Sequence, residues 1–75
     1  MPRYFFDTLN GEHVVDRDGE VLLDNESARQ AAIRVVSELT PMKASHLWAG
    51  DDFKVVIRDE NGIIGFLTVM ATRIP

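Results

Sequence analysis

Seventy-five residues with no cysteine and a net charge of −4 describe one small domain, residues 1–75, that folds without disulfides, thiolate metal sites or thiol chemistry. Roughly 60% of the unfolded surface of such a chain is buried on folding, which makes one thin core and leaves oligomerisation as the remaining common support. Hydrophobic residues at 45% and charged residues at 27% mark a globular chain; no apolar run approaches the ~20 residues of a membrane span, no signal-peptide layout opens the chain, and the acidic balance argues against nucleic acid, so a soluble cytoplasmic protein is expected.

Arg3 to Leu9 is expected as the first strand, because Tyr4, Phe5 and Phe6 are stiff, bulky and demand burial. Tyr4, Phe6 and Thr8 share one face; Arg3, Phe5, Asp7 and Leu9 share the other. Asn10-Gly11 is a hairpin signal of the type I′ kind, with a return strand over Glu12 to Val15. Asp16-Arg17-Asp18-Gly19 is a second turn, with Asp side chains capping local N–H groups and Gly19 free to go left-handed. Glu20 to Leu23 extends as a short strand or edge segment.

Asp24 is the expected N-cap of a helix beginning at Asn25, with Asn25 as the competing cap. Ala28, Ala31, Ala32, Val35, Val36 and Leu39 recur at helical spacing and form one apolar stripe. Pro41 interrupts this pattern. Either the helix kinks and continues, or Thr40 caps a fresh short helix running to Leu47 or Trp48; the second is preferred because Gly50 supplies a stop. Asp52 to Arg58 is the next strand, with Phe53, Val55 and Ile57 on one face. Asp59-Glu60-Asn61-Gly62 turns the chain, and Ile63 to Met70 returns, apolar on both faces. A helix between two hairpins, ββαββ, implies an α+β fold: an antiparallel sheet of three or four strands, one main helix on one face and a short second helix.

Pro2-Arg3-Tyr4-Phe5-Phe6, Asp18-Gly19-Glu20, Asp24 with Ser27-Ala28-Arg29-Gln30-Ala31-Ala32, Phe53-Lys54-Val55 and Asp59-Glu60-Asn61-Gly62 together resemble a family of short bacterial proteins of unknown function. Its members share a Pro-Arg-Tyr-Phe-Phe opening, an Asp-x-x-Gly turn, an Ala-Arg-rich helix after an Asp, and a closing Asp-x-Asp-Gly-type hairpin. Many relatives carry His after the aromatics, where this chain has Asp7. The resemblance spans nearly the whole chain and implies a fold, with no activity attached. A second similarity is to small antitoxin-type proteins, whose strands, Asp-Gly turn and Ala-rich helix follow the same order. Their Pro-Gly-Cys stretch before the helix is absent here.

Chemistry is sparse. Asp16 to Glu20 looks like a fragment of a calcium loop, but the twelfth position holds Ser27 instead of the bidentate Glu, so an Asp-rich turn is expected. His13 and His46 lack the i, i+4 partner that makes a zinc site legible. No serine sits in a nucleophile elbow, and Gly62 and Gly65 belong to a hairpin, where Gly65 marks a bulge or a close backbone approach. No catalytic, cofactor-binding or metal-ligating residue is assigned, and the chain is not expected to be an enzyme. Arg3, Lys54 and Arg58 are candidates for an anion site if their strands are neighbours.

The apolar excess is more informative. A single helix covers one sheet face, yet the last strand is apolar on both. Either residues 42–48 or another copy of the chain must cover the second face. Phe5, Val56, Leu67, Val69 and Trp48 are the candidate interface residues. The leading expectation is a non-catalytic protein-interaction or self-associating module, a homodimer or the partner of another protein. The alternatives are an antitoxin-like or RNA-associated regulator and a small metal- or ligand-binding protein.

Overall fold

The stiff aromatic run Arg3–Leu9 forms β1, which occupies an inner position of an antiparallel sheet in the computed structural model, where all residues 1–75 are described. β2 (His13–Val14), β3 (Glu20–Val21), α1 (Asn25–Leu39), α2 (Ala44–Trp48), β4 (Phe53–Asp59) and β5 (Gly62–Val69) follow in chain order, with a 3-10 turn over Thr40–Lys43 joining the helices. Every strand pair is antiparallel, in the order β2-β1-β4-β5. β3 shares the outer edge of β1 with β2. The expected α+β fold with a main and a short second helix is therefore the observed one.

The helix side of the sheet holds the core. Tyr4, Phe53, Val55 and Ile57 meet Ala28 and Ala32 of α1, and Leu47 of α2 closes one end. Alanine at the contact positions lets α1 sit close to the sheet, and Val35, Val36 and Leu39 extend the stripe at half-buried depth. Asp24 is the N-cap, its carboxylate accepting the Ser27 backbone N–H at 2.8 Å, a bond that also holds the Asp24 pKa below the usual range. Asp24→Ala is expected to lower the urea unfolding midpoint, and an unchanged midpoint would show that the cap is idle.

Three local expectations change. At Asn10-Gly11 only Gly11 takes a positive φ (74°), and Leu9 pairs with His13 across a three-residue loop, so the turn is not type I′ and the return strand shrinks to two residues. Asn10 is instead buried, and its Nδ2 donates to the Asp51 and Asp52 carbonyls, tying the hairpin to the segment before β4. Thr40 does not cap a new helix. Its hydroxyl bonds back to the Val36 carbonyl, so the chain tightens through the 3-10 turn and continues into α2. Residues 42–48 do not cover the second sheet face: Leu47 joins the helix-side core, while Met42 and Trp48 stand exposed.

Register within the last hairpin is set by a bulge. Asp59 pairs with Gly62 and Arg58 with Ile63, but Ile57 pairs with Gly65, so Ile64 is the extra residue and packs against the core. One inserted residue reverses the phase of everything after it. Leu67 and Val69 consequently pair with Val55 and Phe53 on the helix side, and Phe66 pairs with Val56 on the opposite, open face.

Candidate interaction site

The two edges of the sheet are treated differently. Along the outer edge of β1, Thr8 and Leu9 pair with β2, and Arg3 and Tyr4 pair with β3. Between those short strands the loop carrying Asp16 steps in: the Phe6 backbone N–H donates to Asp16 Oδ2 at 3.1 Å. The same carboxylate accepts the Asp18 and Gly19 N–H groups through Oδ1. Burial pushes the Asp16 pKa up, but these three backbone donors outweigh it and hold the carboxyl below its ordinary value. The acidic turn that resembles a calcium loop thus has its Asp16 oxygens occupied by backbone donors.

The opposite edge is bare. β5 runs Gly62-Ile63-Ile64-Gly65-Phe66-Leu67-Thr68-Val69, eight residues with no charge and no proline, and only its β4 side is paired. Charges, proline or a covering loop are the usual protections of such an edge. Phe66 is 61% exposed, and Ile63 and Met70 are similarly open. Lys54 reaches over the Phe66 ring at 5.6 Å from its centroid. A groove runs beside this edge, between α1 and β5, walled by Arg29, Ala32, Ile33, Gly65 and Leu67. A Cβ placed on Gly65 would meet only Ile57 Cδ1, at 3.9 Å, so the chain leaves that space unfilled.

The open face is partly closed by a charged network. Asp7 and Arg58 lie on neighbouring strands, where Phe5 pairs with Arg58 and Asp7 with Val56. Arg58 Nε donates to Asp7 Oδ2 at 2.7 Å and Nη2 to Oδ1 at 3.2 Å, while Nη2 also reaches the Asp16 carbonyl at 2.9 Å. Asp7 accepts the Asp16 N–H as well, at 2.8 Å. The Arg58 hydrogen bonds, helped by that N–H, hold the Asp7 carboxyl below its usual pKa against the penalty of burial. The guanidinium stacks over Phe5 at 4.4 Å from the ring centroid.

These contacts place the candidate residues. Of the interface set, Phe5 and Val56 do face the open side, but Phe5 lies beneath Arg58 and Val56 is buried. Leu67 and Val69 belong to the helix side because of the bulge, and Trp48 is exposed at the end of α2. Arg3, Lys54 and Arg58 do not converge. Arg58 is taken by Asp7, and Arg3 donates to the Asp18 carbonyl at 2.8 Å. Lys54 pairs with Leu9, six residues along β1 from Arg3, a separation of about 20 Å at strand spacing. His46 Nδ1 sits 3.7 Å from Asp51 Oδ2 and Lys43 4.0 Å from Glu12, exposed pairs of small consequence. His13 lies on β2 opposite Leu9. The Asp7–Arg58–Asp16 network went unread in the sequence, although an acid inside an aromatic strand was its visible trace.

Residues 3–70 match the model of a domain of unknown function, DUF6894. No curated protein and no solved structure matches the chain. No helix is long and apolar enough to cross a membrane.

Proposed function

The chain belongs to the DUF6894 family, a domain of unknown function, and we propose that it is a non-catalytic module that self-associates or binds another protein through the free edge of its sheet. The observation that carries this reading is the uncharged, eight-residue β5 edge. Unpaired strand N–H and C=O groups are a template for another strand, and exposed Phe66, Ile63 and Met70 add apolar surface to whatever docks there. Phe66 alone has on the order of 100 Å² of ring to withdraw from water. The RNA-associated alternative needs a basic patch from Arg3, Lys54 and Arg58, and no observation favours it, since two of the three are engaged within the chain.

Light scattering on the intact chain at high micromolar concentration tests the reading. Thr68 is exposed on β5, so Thr68→Lys places a charge on the edge without disturbing the core. A mass above that of one chain, reduced to one chain in Thr68→Lys, is the expected result. A monomer that also captures no partner in a pull-down would sink it.

A further inference from the structure

We propose that the occupant of the free edge is a second copy of this chain, its β5 running antiparallel to the first about a two-fold axis at Phe66. The inference rests on the edge-binding reading and adds partner and register to it. In such a pairing, residues whose numbers are symmetric about 66 lie opposite each other and project to the same face. Gly65 then faces Leu67 of the other copy, on the helix side, because both residues pair with helix-side positions of β4. The unfilled space at Gly65 is thus next to the side chain that symmetry delivers, and the exchange occurs twice, Leu67 of each copy entering the groove of the other. On the open face the two Phe66 rings meet across the axis.

Charge favours a copy of the same chain. Two molecules each carrying a net −4 repel, yet β5 itself has no charge. The helix rim of the groove offers one acid and one base, Glu26 and Arg29, 3.5 Å apart. A two-fold axis brings that mixed pair towards its own image, so each sign has an opposite within reach.

The chain has no cysteine, so Phe66→Cys carries a single thiol. Directly opposed strand residues have Cα atoms ~4.5–5.5 Å apart, inside the range a disulfide spans. Val14→Cys, in β2 at the other edge of the sheet and also exposed, is the control. Under mild oxidation at micromolar concentration, Phe66→Cys is expected to yield a covalent dimer at least tenfold faster than Val14→Cys. A second variant, Gly65→Val, fills the groove from within; at concentrations where both proteins are monomeric its melting temperature is expected to match the wild type, while its dimer dissociation constant rises at least tenfold in sedimentation equilibrium. A dimer that cross-links no faster at residue 66 than at residue 14 overturns this register and leaves the edge-binding reading standing. A monomer that pairs only with an uncharged extended peptide added in excess overturns the second copy as occupant and also leaves that reading. A monomer that binds neither overturns both.

Discussion

Arg58→Met is expected to lower stability by ~3–5 kcal/mol, the loss typical of breaking one side of a buried ion pair. Asp7 is the reason. Its side chain is only 10% exposed, and Arg58 supplies its bidentate partner. Without the guanidinium, a carboxylate stays buried with one backbone N–H for company. Phe5 also loses its stacked cover, and the Asp16 carbonyl loses a donor. At 0.05–0.15 kcal/mol per residue the whole chain has about 4–11 kcal/mol in hand, so the variant stands near the edge of unfolding. Asp7→Asn in the same background is expected to recover part of the loss, because the uncompensated charge is gone. Acid titration separates this account from lost packing. In the wild-type chain the folded pKa of Asp7 lies below the unfolded one. Its contribution is therefore complete above pH ~4 and disappears as pH falls through the folded value. In Arg58→Met the main cause of that lowering is gone, so the loss of stability on acidification is expected to be smaller than in the wild-type chain. Urea midpoints that fall equally with pH in both proteins would rule the pairing out as the source.

Gly19→Ala is expected to cost ~2–5 kcal/mol, for two separable reasons. The residue has φ +70°, a left-handed conformation that penalises any Cβ by roughly 1–2 kcal/mol. The new methyl would also lie 2.7 Å from the Tyr4 carbonyl oxygen and 2.9 Å from the Phe5 ring. Neither neighbour can give way easily: Tyr4 is paired with Glu20, and Phe5 is held under Arg58. Overpacking of this kind adds roughly 1–3 kcal/mol. Gly11 provides the comparison, since its φ is +74° but a Cβ there meets only ordinary contacts, Asp51 Oδ2 at 3.6 Å and His46 Nδ1 at 3.8 Å. Gly11→Ala carries the backbone strain alone. Thermal unfolding of the two variants should differ by the clash, and equal losses would show that the loop yields.

Local chemistry was readable from the sequence. β1 runs over the predicted residues, Asp24 caps α1, and the Asp59 to Gly62 turn joins two strands, because each depends on neighbours a few residues apart. The phase of β5 was not readable. Gly65 signalled a bulge or a close approach, and a bulge is there, but which residue is extra depends on how β4 and β5 align. That single residue moved Leu67 and Val69 from the expected interface to the core side. In the sequence Arg58 groups with Arg3 and Lys54 as a candidate anion site; its real partner, Asp7, is 51 residues away and becomes visible only when β1 and β4 are adjacent. Strand order likewise decides which edge is bare. Short strands such as β2 and β3, two residues each, leave almost no periodic signal even though they close the other edge.

The closed edge of β1 also bears on stoichiometry. Stacking this sheet end to end would need a donor edge and an acceptor edge on every copy, and β2, β3 and the Asp16 carboxylate have already consumed one of them. Strand addition therefore has one long port, β5, while the far edge of the sheet ends in β2 and β3, two residues each. Growth into a filament needs a long edge at both ends, and an assembly that pairs β5 with β5 leaves only those two-residue strands outermost.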